Sequence, residues 1–334
     1  MKFAGPLRAA LCVALALMPV HAPAQNPFHG KAWPKTDFTA FLVDPLEFEP
    51  GGPNKDGIPA IDFPRMHPAA EEHSLDPREP VISVKIEGQL TRGYPLRYLL
   101  WHEVVNDTVG HTDIAVTYSV LVDSAVVYDR RDAEGNAMVF GVSGLLRFSN
   151  SVLFDRGTES WWQQTTGRAI VGSHAGERLT PLPARVESWD VFRLHHPDGL
   201  VMMRPEWERA YGTTPFVGYD SAPVPARYAG PLPPKGIAPL ERVLRVGSHA
   251  WQLSRLMSEG RITEAGLVLT WTPGMASTHD AADIARARDI GMVRVRDAVG
   301  RDLPHDVIFA FCFAAFWPDG RWMLGGCGAA GLPC

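Results

Sequence analysis

Two short segments concentrate the side chains that can do chemistry. The first is Trp101-His102-Glu103 followed by Asn106-Asp107, at the end of an apolar run. On a helix, His102 and Asn106 share a face at i, i+4 spacing, as do Glu103 and Asp107. An imidazole so placed can serve as general base or metal ligand, with Glu103 or Asp107 to orient or charge it. The same residues also suit a plain helix C-terminus, with His102 holding a buried backbone group. The second segment, Asp155-Arg156-Gly157-Thr158-Glu159-Ser160, packs a guanidinium between two acids in a turn. Arg156 can hold a carboxylate or phosphate bidentately; alternatively, Asp155 and Glu159 neutralise it as a structural network. In Trp161-Trp162-Gln163-Gln164, adjacent rings on a strand face opposite ways, so one enters the core and the other can offer a stacking surface. The candidate catalytic residues are therefore His102, Glu103, Asp155 and Glu159. The candidate ligand-binding residues are Arg156, Trp161, Gln163 and Asn106. All are expected to converge on one polar pocket for a small ligand or a metal.

Other motifs carry less. Adjacent His195 and His196 point about 100° apart on a helix and chelate poorly. Asp129-Arg130-Arg131-Asp132 reads as a solvated hairpin end, and Gly141-Val142-Ser143-Gly144 lacks the second spacer of a nucleophile elbow, which leaves Ser143 a weak nucleophile. No phosphate loop, dinucleotide fingerprint or His-Glu-x-x-His helix occurs, so no cofactor and no metal is named.

The elements that must position these residues are mostly strands. Hydrophobic residues at 46% and charged ones at 21% of 334 residues exclude a disordered chain and a polytopic membrane protein. The high counts of Gly (31) and Pro (29) demand many turns and argue against a long helical bundle. A net charge of −5 gives no basic face for nucleic acid. Short β-branched and aromatic runs recur at 80–86, 114–118, 125–128, 138–142, 145–148, 152–154 and 169–172, each bounded by turn residues. Residues 95–105, led by Pro95, read as a short helix, and 189–196 as another ended before Pro197. The class is mainly β with short helices (α+β), with sandwich- or barrel-like sheets. An extended arm is expected over 25–55, a β-rich domain over 56–222, a Pro-rich connector over 223–239 and a smaller β-rich unit over 240–334. The last unit can be laid beside the first as a degenerate internal duplication. In that alignment Tyr94-Pro95-Leu96-Arg97-Tyr98-Leu99 faces Trp251-Gln252-Leu253-Ser254-Arg255-Leu256, and nothing in the second copy answers residues 143–183.

The N-terminus reads as an export signal. Lys2 and Arg8 precede an apolar run over 9–20, and Ala22-Pro23-Ala24 fits cleavage after Ala24. The expected location is periplasmic or secreted, with no integral membrane segment in the mature chain, since a span needs about 20 apolar residues. Cys312 reads as a small buried hydrophobe, whereas Cys327 and Cys334 flank a loop that a disulfide can close.

From Asp56 to about Tyr219 the chain resembles a bacterial family of exported proteins, the domain of unknown function 3179 family. Asp56-Gly57-Ile58-Pro59-Ala60-Ile61-Asp62, Tyr94-Pro95-Leu96, the block 101–107, Val116-Thr117-Tyr118, Phe140-Gly141-Val142-Ser143-Gly144 and the block 154–164 carry the resemblance. The resemblance implies no reaction. Family members usually continue Thr-Tyr with Cys-Pro-Leu-Cys, a spacing that suits soft metals or thiol redox chemistry. Here Thr117-Tyr118 continues Ser119-Val120-Leu121-Val122, so neither thiol is present. Two readings stand side by side: a protein with a ligand pocket and acid–base chemistry, or a non-catalytic interaction module that kept the scaffold and lost the thiol site. The partner is accordingly an unnamed small ligand or protein.

Overall fold

The computed structural model describes residues 31–325. The segment 1–24 expected to be an export signal, Cys327 and Cys334 lie outside the described residues.

Strand Pro80–Val84 pairs antiparallel with Arg92–Pro95. Pro95, with φ −61°, hands the chain to helix α1 (Leu96–His102), whose Leu96, Tyr98, Leu99 and Leu100 are buried. Three further helices of seven residues come later in the chain: α2 (Trp189–His195), α3 (Leu253–Glu259) and α4 (Ala310–Phe316). At this length none is stable alone, and each depends on its buried face. Among the described residues the fold is thus mainly β with four short helices, as expected.

The sheets do not form a sandwich or a barrel. Five small sheets are arranged as the blades of a five-bladed β-propeller. All five residues of Pro80–Val84 are buried, as are all six of Asn150–Asp155. A blade has neighbours on both faces, so sequence alternation identifies the strand but not what covers it.

One five-stranded sheet runs Phe48–Pro50, Phe140–Arg147, Asn150–Asp155, Trp161–Gln163, Arg168–Val171; a second runs Thr180–Pro181, Ser124–Asp129, Thr112–Ser119, Val104–Val109, Ile61–Asp62. The third runs Ala184–Ser188, Pro80–Val84, Arg92–Pro95, Leu200–Met202, Met66–Pro68. The fourth runs Asp306–Phe309, Arg242–Val246, His249–Gln252, Arg321–Trp322, and the fifth Arg261–Glu264, Leu267–Thr272, Met292–Asp297.

The third and fourth sheets share one plan. In each, an antiparallel hairpin is flanked by an antiparallel strand on one side and a parallel strand on the other. The parallel strand is reached through a helix in both cases, α2 or α4. The helices end alike, at His196 (φ −132°, ψ 64°) and Trp317 (φ −130°, ψ 66°). The turns leading out of them match as well, His196-Pro197-Asp198-Gly199 in one and Trp317-Pro318-Asp319-Gly320 in the other, a repeat that the sequence reading passed over. In both turns the glycine N–H donates to the carbonyl three residues earlier, His196 O and Trp317 O, at 2.8 Å.

Residues 95–105 do not form one helix. α1 stops at His102 and strand Val104–Val109 begins at once, so Asn106 and Asp107 lie on opposite faces of a strand and not below His102 and Glu103. Asn106 holds the blade: its Nδ2 donates to Asp62 Oδ1 (2.7 Å) and Phe140 O (2.8 Å), and its Oδ1 accepts from Phe140 N (2.9 Å). Arg130 is not solvated either; it is buried and donates to Met138 O and Asp113 Oδ1. Ala276, Ile284 and Ala287 join the same core as Leu99 and Val116. Cys312 is buried and free.

The glycine of each repeated turn lies under a phenylalanine ring. A Cβ at Gly199 would stand 2.9 Å from His196 O, and one at Gly320 would stand 2.5 Å from the Phe313 ring. Gly199→Ala and Gly320→Ala are each expected to lower stability by about 1–3 kcal/mol, read from the urea midpoint at unchanged m-value.

Candidate functional site

The junction between α1 and the next strand is made by Glu103, at φ 57° and ψ −29°. The corresponding junction after α3 is Gly260, at φ 69° and ψ −32°. Both cap N–H groups donate to the helix carbonyl four residues earlier, Leu99 O and Leu256 O. Glycine enters this region freely, whereas an L side chain there costs about 1 kcal/mol or more. The chain places an acid where its own repeat uses the residue suited to the turn.

The Glu103 carboxylate enters a cavity of about 740 Å³ whose lining includes Ser151, Leu146, Phe216, Arg209 and Arg227. Its Oε2 accepts from Ser151 Oγ at 2.7 Å. Ser119 stands behind Ser151, its Oγ accepting from Ser151 N (2.9 Å) and donating to Ser151 Oγ (3.1 Å). Burial pushes the Glu103 carboxyl up to about 7, against a smaller lowering by the Ser151 hydrogen bond. It can therefore exchange a proton at neutral pH. Ser149 (φ 61°) and Arg227 (φ 51°) also line the cavity in backbone conformations that non-glycine residues rarely adopt.

His102 faces elsewhere. Its Nδ1 donates to Pro59 O (2.7 Å), which leaves Nε2 to accept from Tyr211 OH (2.6 Å). Burial holds its pKa below the usual imidazole value, so the ring is neutral with both nitrogens engaged. His102 thus ties the loop carrying Tyr211 and Arg209 to α1.

The Asp155–Glu159 turn forms a third environment, against the N-terminal arm. Asp155 accepts from Thr158 N (2.6 Å), Ser160 N (3.1 Å) and Trp162 Nε1 (3.2 Å). Arg156 is bidentate on Asp56, 2.9 Å from each oxygen. Glu159 pairs with Lys55 Nζ at 2.7 Å and accepts from Lys35 N at 3.1 Å. Trp161 is buried among Trp33, Phe38, Phe41 and Phe48. Gln163 donates to Asn150 Oδ1 at 2.6 Å inside the sheet. Of the sequence-expected residues, only Glu103 lines this cavity; His102, Asn106, Asp155, Arg156, Glu159, Trp161 and Gln163 do not. The structure does not bring them together there.

Sequence reasoning passed over Ser119, Ser151, Arg209 and Arg227. Only Ser119 carried a signal, since it stands where the resembled family has its first thiol. A buried ionic cluster was also missed: Arg242 donates to Asp123 Oδ2 (2.7 Å) and Asp220 Oδ2 (2.9 Å), with Arg288 2.8 Å from Asp220. It joins the turn after Thr112–Ser119 to the Arg242–Val246 strand and locks the two halves. Among the described residues, no three His, Cys, Asp or Glu side chains come together as a metal site. No helix among them is long and apolar enough to cross a membrane.

One family model matches residues 55–320, under the description "Protein of unknown function (DUF3179)". No curated protein and no solved structure matches the chain.

The raised Glu103 carboxyl fixes a pH dependence. The folded state holds the proton more tightly than the unfolded chain, so stability is lost as pH rises from about 4.5 to about 7 and then levels. Glu103→Gln keeps the acceptor for Ser151 and removes the charge. It is expected to match the parent near pH 4.5 and exceed it by about 1–3 kcal/mol at pH 8, cavity water screening part of the charge. Urea titrations at both pH values measure the difference; equal stabilities at pH 8 would exclude a buried, raised carboxyl.

Proposed function

The chain belongs to the DUF3179 family, whose description names no activity, and from that premise we propose that it is an exported propeller protein that takes a small organic ligand in the Glu103 cavity, with Glu103 as the group that gives or accepts a proton. The observation that carries this reading is Glu103 itself. A protonatable carboxyl occupies a junction that the same fold elsewhere gives to Gly260. Strain and buried charge at one residue are costs that a scaffold alone has no use for. The apolar walls suit a hydrocarbon body, and the mouth bears Arg209 and Arg227, which have no carboxylate partner within salt-bridge distance among the described residues. An organic acid fits both. The lack of a converging ligand set among the described residues favours an organic ligand over a metal.

A second reading, as an interaction module, draws on a groove of about 460 Å³ rimmed by Phe63, Arg65, Arg204 and Trp207. Phe63 is 71% exposed and Trp207 40% exposed. This groove does not include Glu103, so the two readings separate by mutation.

Octanoate and octanamide are suitable probes, with calorimetry at pH 6 and pH 8. A protonated Glu103 donates to the octanoate carboxylate, and an ionised one repels it. Octanoate affinity is expected to fall about tenfold between the two pH values, octanamide affinity to stay level, and Glu103→Gln to abolish the difference. Octanoate binding that ignores both pH and Glu103→Gln, or no binding by either probe, would sink the reading. Mass spectrometry of the exported protein is expected to place its N-terminus at Gln25; retention of residues 1–24 in a protein held inside the cell would overturn the export proposal.

A further inference from the structure

We propose that Ser151 is a nucleophile and that the cavity hydrolyses small carboxylic esters with an apolar acyl group. This rests on the reading of Glu103 as proton acceptor and adds the group that attacks. The geometry assigns the parts. Ser151 Oγ directs its proton to Glu103 Oε2 at 2.7 Å. Ser119 Oγ donates to Ser151 Oγ at 3.1 Å, which uses one of its lone pairs and leaves the other free. The Ser151 backbone is held by its own N–H on Ser119 at 2.9 Å. The base is fixed in turn: Glu103 N donates to Leu99 O and Glu103 O accepts from Tyr118 N, both at 2.8 Å. A nucleophile, a base within hydrogen-bond reach and an orienting third group form the arrangement that activates a serine.

The turn preceding Ser151 is itself forced. Phe148 (φ 49°) and Ser149 (φ 61°) make the two-residue reversal between Phe140–Arg147 and Asn150–Asp155 without a glycine. Ser149 Oγ reaches Ala226 O and Arg227 O at 2.7 Å each, tying the turn to the cavity wall.

A second buried serine shows why the partner matters. Ser277 Oγ lies equally close to Asp220 Oδ2, at 2.7 Å. Burial would raise the Asp220 carboxyl, but Arg242, Ser277 and Arg288 together hold it below the usual carboxylate range. Asp220 is therefore the weaker base toward a serine proton, and Glu103, free of any cation within salt-bridge distance among the described residues, the stronger.

In the reaction, Ser151 Oγ bonds to the ester carbonyl carbon as its proton passes to Glu103. The carbon–alkoxide bond then breaks, and the leaving alcohol takes that proton. Water attacks the acyl-serine and gives a proton to Glu103. The Oγ–carbon bond breaks, and Ser151 recovers the proton while the carboxylic acid leaves. No atom changes oxidation state and no co-reactant besides water is needed.

The test uses the mature protein at pH 7.5 with p-nitrophenyl butyrate and an alkyl fluorophosphonate. A single phosphonyl adduct on Ser151 is expected. Ser151→Ala should abolish both adduct and hydrolysis, and Glu103→Gln should slow labelling at least ~100-fold. Ser119→Ala, which removes a positioning group, should slow labelling about tenfold while leaving its pH midpoint unchanged. Ser151→Cys provides a check independent of the hydroxyl: with the Glu103 carboxylate beside it, its alkylation by iodoacetamide should follow a midpoint above the ordinary thiol value of about 8.5 and move back down in the Glu103→Gln background. No adduct on Ser151 under excess probe, or an equal rate in Glu103→Gln, overturns the proposal. If octanoate binding keeps its pH dependence while Ser151 stays unlabelled, the nucleophile falls and the binding reading stands. If Ser151 labels at the same rate with and without the Glu103 carboxylate, the role of Glu103 falls as well.

Discussion

The direct junction of a seven-residue helix with the strand after it is the constraint from which the site arises. α1 ends at His102 and the next strand begins at Val104. One residue must therefore turn the chain, and it must do so at positive φ. After α3, Gly260 meets that demand with no side chain to place. At Glu103 the same turn forces a carboxylate inward. Its direction is not a matter of rotamer choice alone, because its N–H and carbonyl are both committed, to the helix and to Tyr118. The backbone thus aims the acid, and the burial of Tyr98, Leu99 and Leu100 on the preceding helix offsets the strain.

The repeated plan separates scaffold from chemistry. Both halves carry a hairpin, a helix, a run of antiparallel strands and a second helix leading to a parallel strand. Between Asp297 and Asp306 the second half links its last elements with a short connection. Between Asp129 and Ala184 the first half inserts a whole blade, which contributes Ser151 to the cavity. The site therefore exists only where the inserted blade meets α1. The Asp155–Glu159 turn of that blade has a different task. Through Lys35, Lys55 and the rings around Trp161 it anchors the N-terminal arm, which supplies the blade's outer strand Phe48–Pro50.

Strand positions were legible because β-branched and aromatic runs between turn residues have few alternatives; Thr112–Ser119, Ser124–Asp129 and Asn150–Asp155 fall where the pattern puts them. α2 was legible for the same reason, since Pro197 limits it. The sheet arrangement was not, because burial on both faces of a strand depends on neighbours distant in sequence. The helix at 95–105 was drawn too long because helical periodicity cannot register a single residue at positive φ. The polar clusters misled for a related reason: Asp155, Arg156 and Glu159 are dense in sequence, but the charged partners of Arg156 and Glu159, Asp56 and Lys55, lie about a hundred positions away and neutralise them. Glu103 stood out only as one member of a crowded motif, and Ser151, in a plain strand with no motif around it, did not stand out at all.

The missing thiols bear on which group does the work. Of the two family positions, Val122 is buried in the same core cluster as Phe309 and Phe311. Ser119 faces the other way, against Ser151 and so toward Glu103. The three-residue turn at Val120–Val122 separates the two positions into different environments. A thiol at 119, buried and near the Glu103 carboxylate, would be harder to ionise than a free one, so the position suits a neutral hydrogen-bonding group. A hydroxyl is the better hydrogen-bond donor, and in this chain it donates to Ser151 Oγ at 3.1 Å. The two family positions therefore meet different surroundings here: Val122 sits in the core, and Ser119 orients Ser151 beside Glu103, which shares its positive φ with Ser149 and Arg227 of the same cavity.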